Sequence, residues 1–212
     1  MGIFISEQRV GRLMREAGLR AVGAFKFRAT TNSKHARPVA PNLLAREFQR
    51  SRLNTAWVSD ITYVPTSQGW LYLCVILDLA SRRIVGWSMR ETMHAEMVAT
   101  ALRDALDSRK PPPGLIFHSD RGVQYASAEV VRILQSREAR QSMSRKGDCW
   151  DNAVSESAFA TIKKELVYRC KFADREKARR EIFEYLEVFY NRDRDHSTLG
   201  YLTPEEFERK AA

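Results

Sequence analysis

The chain has 212 residues, 44% of them hydrophobic, and a formal charge of +9 at pH 7. That is enough chain for one good core with a small appendage, and no apolar run approaches the roughly 18 residues of a membrane-spanning helix. Three scattered cysteines without a CxxC pair, and four equally scattered histidines, argue against a structural zinc site and suit a reducing cytoplasm.

The charge is uneven. Residues 1–50 carry ten Lys/Arg against three acids, most of the surplus. A basic arm on a nearly balanced body points to a polyanion, most often nucleic acid; the competing reading is a solubilising tail. The opening "MGIFISEQ" is too short and too quickly charged for a secretory signal.

In chain order, "EQRVGRLMREAG" (7–18) predicts a helix, with Val10, Leu13, Met14 and Ala17 on one face and Gly18 as its stop. Residues 19–54 are irregular, with "TTNSKHARPVAPN" as the linker, and a domain boundary is placed near Leu53. "NTAWVSDITYVPT" predicts a strand with Trp57, Ile61 and Tyr63 on one face and Val58, Asp60, Thr62 and Val64 on the other. "WLYLCVILDL" reads as a strand buried on both faces and "RIVGWSM" as a third, so the short links imply an antiparallel meander. A helix follows over His94–Ser108, then the strand "LIFHSD" and a helix from an N-cap at Ser127 to about Arg137. "RQSMS" predicts a last strand. Helices are expected from about Asn152 to Val167 and from an Asp174 cap to Asn191. Thr203-Pro204-Glu205-Glu206 is a capping box opening a terminal helical turn.

The fold class is therefore α/β, a mixed five-stranded sheet flanked by helices in ribonuclease-H-like order. The division is a basic N-terminal helix and linker (1–52), a core (53–170) and a helical extension (171–212).

Three acids stand out. Asp60 lies inside a core strand, where a carboxylate is costly unless it is paired or binds a metal. Asp120 closes a strand, where sites in mixed sheets tend to lie. Glu156 shares a helix face with Lys163, two turns on. Singly, each has a plain structural reading: a backbone-bonded Asp, a turn Asp, an exposed helix pair. Together, two Asp and one Glu offer the oxygen ligands that suit Mg²⁺ or Mn²⁺. Asp148, Asp151 and Asn152 are read as shaping the loop and capping the helix that carries Glu156. Gly147 allows the turn, Trp150 packs beneath, and Asp78 is structural.

The chain resembles the catalytic subunit of bacterial insertion-sequence transposases of the insertion-sequence-three type, within the retroviral integrase superfamily. The matching stretches are "VAPNLLAREF", "WVSDITYVPT", "GWLYLCVILDLASRRIVGW", "HSDRGVQYAS", "QSMSRKGDCWDNAVSES", "ATIKKEL" and "VFYNRDRDHSTLGYLTPEEFE", spanning roughly residues 40–208. The resemblance implies an acidic triad at Asp60, Asp120 and Glu156, with 35 residues between the last two and Lys163 as the basic residue seven positions on. It also implies two Mg²⁺ (or Mn²⁺) ions, strand cleavage and 3′-hydroxyl transfer at element ends, and assembly as a dimer or higher oligomer on DNA. An upstream helix-turn-helix partner is usually fused by frameshifting. DNA contacts are expected from Arg145, Lys146, Lys163, Lys164, Arg192, Arg194 and His196, and from Arg12 and Arg15 of the basic arm. A bacterial, cytoplasmic, nucleoid-associated protein without a membrane segment follows.

There are departures. Ser155 and Ala158 stand where the family commonly has larger residues, and Glu138-Ala139 where a Gly-Ile-like pair is usual. "RVGRLMREAGLR" resembles only the last helix of a longer DNA-binding region, so the front is read as shortened. That leaves two other classes open: a non-catalytic DNA-binding or regulatory remnant, and a nuclease that cuts without joining. An empty site of three acids is expected to repel itself and displace Glu156.

Overall fold

The computed structural model describes residues 5–19, 37–146 and 148–211. Gly147 and most of the predicted linker lie outside them. A five-stranded sheet has the order β3-β2-β1-β4-β5. Strands β1 (Ala56–Thr66), β2 (Gly69–Asp78) and β3 (Ile84–Arg90) form the predicted antiparallel meander; β4 (Ile116–Ser119) and β5 (Arg140–Met143) add in parallel.

The period-two pattern of β1 divides the core. Trp57 and Ile61 face one layer with α2 (Ala95–Arg109) and α3 (Ala128–Ser136). Val58 and Val64 face the other with α4 (Ala153–Ile162) and α5 (Arg175–Glu184). α2 sits so close on β3 that a Cβ at Gly86 would lie 2.5 Å from the Ala101 carbonyl oxygen. Leu44, in the segment read as irregular, is fully buried in the α4–α5 layer.

Local caps match the sequence chemistry. The Ser127 hydroxyl accepts from the Val130 N–H, and Asp174 accepts from the Lys177 N–H at 2.6 Å. Thr203 and Glu206 exchange both bonds of a capping box at 3.1 Å, opening α6 (Pro204–Ala211). Asp78 is structural: it accepts from the N–H groups of Asn54, Ala80 and Ser81 and from the Trp57 indole.

The two long helices differ from expectation. A 3₁₀ turn (Cys149–Asn152) precedes α4, and α4 continues as a π-helical turn, Lys163–Val167. α5 continues as a π-helical stretch, Tyr185–Asp193. The two π segments meet where Glu165 accepts from the Tyr185 hydroxyl at 2.7 Å and from both ends of the Arg194 fork at 2.9–3.0 Å. α1 (Glu7–Glu16), N-capped by Ser6, buries none of its residues.

Candidate active site

β4 pairs with β1 only over Ala56–Val58, so β1 runs on alone past the end of β4 on that side. Asp60 stands just beyond this limit, half-buried and opposite Val75 of β2. Its carboxylate accepts from the Ile61 N–H at 2.7 Å. Asp120 follows the last residue of β4 and accepts from the Gly122 N–H at 2.9 Å. Glu156 lies in the first turn of α4, and Lys163 opens the π-helical turn beyond it.

Electrostatics ties these groups together. Desolvation by the surrounding protein, then Asp120 and Glu156, together push Asp60 up to about 8 against the opposing Ile61 N–H and Lys163. Glu156 is itself raised by desolvation, and Lys163 is lowered by desolvation with Asp60 opposing. A half-buried, desolvated acid raised further by two neighbouring acids marks a site deficient in positive charge. The donors are all carboxylate oxygens, the set that hard divalent cations take. The donor chemistry thus fits Mg²⁺ or Mn²⁺. In their present positions, among the described residues, no three acidic, His or Cys side chains stand close enough to hold a metal ion.

The residues beneath Asp60 are inert. Ser59 bonds the Tyr125 hydroxyl at 3.0 Å and contacts Cys74 at 3.6 Å. Burial pushes Cys74 up to about 12 and Tyr125 well above the usual phenol range, so neither is an activated nucleophile.

One structural hub was not anticipated from sequence. The Asp151 carboxylate is buried and accepts from the Arg145 N–H (2.8 Å), the Arg145 guanidinium (2.9 and 3.0 Å), Arg46 Nε (2.9 Å) and the Asn42 amide (2.9 Å). Asp148 adds an ion pair to Arg46. His118, pushed down to about 4 by burial, stays neutral between Ser142 Oγ (2.8 Å) and the Asp151 carbonyl (3.1 Å). The hub holds the loop leading into α4 against the segment Asn42–Arg46. It corrects the expectation that Asp151 or Asn152 caps α4: neither makes a side-chain cap bond there, and Asn152 Oδ1 instead accepts from Ser144. Trp150 does not pack beneath the loop; it is 69% exposed.

The remaining departures have local consequences. Glu138 adopts φ +52°, the left-handed region that glycine occupies without strain. The Ser155 hydroxyl is buried without a hydrogen-bond partner among the described residues.

Of the expected DNA contacts, Lys163 lies at the acids. Lys146 is exposed and Lys164 half-buried, with no carboxylate partner among the described residues. Arg145 is paired with Asp151 and Asp148, and Arg194 with Glu165. His196 is buried and pushed down to about 4 by burial, so it carries no charge at neutral pH. Arg192 is exposed, 4.0 Å from Glu205. Arg12 and Arg15 project from α1 with their side chains on Glu16 and the Gly11 carbonyl.

Comparison with known proteins fixes the family. The integrase core domain matches residues 50–149, and a second integrase core domain model matches residues 156–211. The insertion element IS600 uncharacterized 31 kDa protein of Shigella sonnei is 47% identical over 209 residues, 99% of this chain and 77% of its own length. Transposase InsF for insertion sequence IS3A of Escherichia coli (strain K12) is 45% identical over 201 residues, 95% of this chain and 70% of its own. The chain belongs to the insertion-sequence transposase family with an integrase core. The transposase for insertion sequence element IS904 of Lactococcus lactis is 43% identical, covering 98% of this chain and 82% of its own.

Solved structures show that the transposase has the ribonuclease-H-like fold of retroviral integrases. The HTLV-2 integrase catalytic core domain in complex with magnesium (dimeric form) superposes with a TM-score of 0.57 at 18% identity, covering 73% of this chain and 96% of that one. A chain of the simian T-cell lymphotropic virus intasome in complex with PP2A regulatory subunit B56 gamma gives 0.63 at 16% identity, covering 84% of the transposase and 60% of that chain. No helix among the described residues is long and apolar enough to cross a membrane.

Proposed function

We propose that the transposase cleaves DNA strands at the ends of its insertion sequence and joins the freed 3′-hydroxyl to a target phosphodiester, with Asp60, Asp120 and Glu156 as ligands for two Mg²⁺ or Mn²⁺ ions. The carrying observation is the carboxylate of Asp60, pushed up to about 8 by desolvation, by Asp120 and by Glu156 in a chain otherwise rich in positive charge. Two divalent ions, when bound, would lower the pKa of the attacking water or hydroxyl and neutralise charge on the leaving oxygen. Asp60 on β1 and Asp120 just past the end of the adjacent parallel strand β4 supply one half of the ligand set. Glu156, on α4, supplies the half whose position depends on the Asp151 hub. No side-chain general base is needed, since bound divalent ions would lower the pKa of the attacking water or hydroxyl.

Lys163, Lys164 and Lys146 hold the phosphate backbone beside the acids. Arg145 and Arg194 reach DNA only by giving up their carboxylate partners, so we assign them secondary roles. Residues 1–52 act as the basic arm, 53–170 as the catalytic core and 171–212 as its helical extension. The magnesium-bound, dimeric form of the HTLV-2 integrase catalytic core domain supports the ion type and an oligomeric form. A helix-turn-helix partner or fusion supplies end recognition.

The test is a strand-transfer assay with purified protein, Mg²⁺ or Mn²⁺ and a labelled duplex bearing the element's terminal repeat. Joined product from wild type and none from Glu156→Gln is expected. Cleavage by both proteins would refute the assignment of Glu156. Nicking by wild type without joining would reduce the activity to that of a nuclease.

A further inference from the structure

Beyond the three acids, β1 continues into an aromatic ledge that no role yet explains. Tyr63 lies three residues past Asp60, about 10 Å along the strand and on its other face by alternation, and Lys163, at the strand's open edge, is close to both. Trp70, from β2, meets it edge-to-face, with ring centroids 4.7 Å apart and planes at 74°. Lys163 Nζ stands 5.3 Å from the centre of the Tyr63 ring. Tyr168 ends the π-helical turn that begins at Lys163 and donates its N–H to the Lys163 carbonyl at 2.8 Å.

Two of these rings are wet, and Tyr63 is half-buried. Trp70 is 49% exposed and Tyr168 43%, while other large side chains of β1 and β2 such as Trp57, Ile61, Leu71 and Leu73 are fully buried. Their setting carries cations: Lys163 and Lys164 open the π-helical turn, and Arg169, just beyond its end, places its Nε on the Lys164 carbonyl. Arg175 crosses behind the ledge, its Nε on the Trp70 carbonyl at 3.3 Å. An apolar contact for a protein partner would use aliphatic side chains as well. Exposed aromatic faces rimmed by lysine and arginine are the chemistry that holds a base and its phosphate.

We propose that Tyr63, Trp70 and Tyr168 form a stacking platform for an unpaired base of the DNA strand led into the acidic site, with Lys163 and Lys164 on its phosphates. The transposase would then hold its substrate locally melted next to the reacting bond. The proposal rests on the reading that the three acids act on DNA.

The test uses the full chain carrying Glu156→Gln, so that no strand is cut, in Mg²⁺. Terminal-repeat duplexes carry 2-aminopurine at the end, either paired or as an unpaired overhang. Stacking predicts quenched fluorescence for the unpaired base only, and about tenfold tighter binding of the overhang duplex than of the paired one. Trp70→Ala and Tyr168→Ala should each erase that preference, and Trp70→Phe should keep it. Equal binding of the two duplexes, or a Trp70→Ala loss that is the same for both, overturns the platform. A Trp70→Ala change in sedimentation without a change in base quenching would assign the ledge to protein contact instead. Strand transfer by the chain with its native Glu156 is read separately. Transfer without base preference sinks only the platform; base preference without transfer sinks only the catalytic reading.

Discussion

Asp151→Asn isolates the hub that places Glu156. The substitution keeps the shape of the side chain and removes its charge. Five hydrogen bonds converge on the native carboxylate, three of them from Arg145, one from Arg46 and one from Asn42. An asparagine has one oxygen to accept with, and its amide would turn two donors toward a guanidinium. Removing one member of a wholly buried ion pair costs about 3–5 kcal/mol. Here both guanidinium groups are about half exposed, so water replaces part of the loss. We therefore expect about 3 kcal/mol at pH 7, read as a lower urea midpoint with an unchanged slope. In a chain of this size that is roughly 6–12 °C in Tm.

The pH dependence gives a second check. The Arg145 guanidinium, with further help from Arg46, holds Asp151 well below the usual carboxylate range against its own desolvation. A depressed folded-state pKa gives stability that is present above the unfolded value, about 3.9, and lost as pH falls toward the folded value. The gap between wild type and variant should be constant from pH 5 to 8 and close only below about 4. A gap under about 1 kcal/mol at pH 7, or one that varies between pH 5 and 8, would refute the hub.

Three other outcomes are expected. Asp60 has a raised folded-state pKa, so its effect has the opposite sign: in metal-free buffer the wild type should lose stability as pH rises from about 4 toward about 8, by an amount on the order of a few kcal/mol, while Asp60→Asn stays flat. Melting curves in chelator from pH 5 to 9 check this, and added Mg²⁺ should stabilise the wild type alone. Glu138→Gly removes a side chain from a left-handed position and should raise the urea midpoint by about 0.5–1 kcal/mol in stability; no gain would mean that φ +52° costs nothing there. Gly86→Ala drives a methyl into the Ala101 carbonyl and should cost about 2–3 kcal/mol, visible as a lower Tm.

What could be read from sequence was local or periodic. Alternation in β1 sorted Trp57 and Ile61 from Val58 and Val64 correctly, because a strand has only two faces. Ser127, Asp174 and Thr203 were legible as caps because their partners lie three residues away. The departure at Glu138 was visible as a missing glycine, but its cause needed a backbone angle. The failures share long separations. Asp151 finds Arg46 and Asn42 more than a hundred residues earlier, so nothing near it advertised a hub rather than a cap. Arg194 was offered as a DNA contact because its Glu165 partner lies on another helix. The π-helical turns have no compositional signature. At the candidate site, residue types and spacing named three acids; their shared field appears only when two parallel strands and α4 are assembled.

The meander β1–β3 is contiguous in the chain, but Asp120 joins it only when β4 pairs with β1, and Glu156 only when α4 packs on the far layer. α4 is held in turn by α5 and its π-helical continuation, where Asn191 bonds both polar groups of the Ile84 backbone. A chain still emerging from the ribosome would carry Asp60 on a finished hairpin and have no partner for it. The three acids thus lie on elements far apart in the chain, and none of them shares a site with another until β4 and α4 have joined the meander.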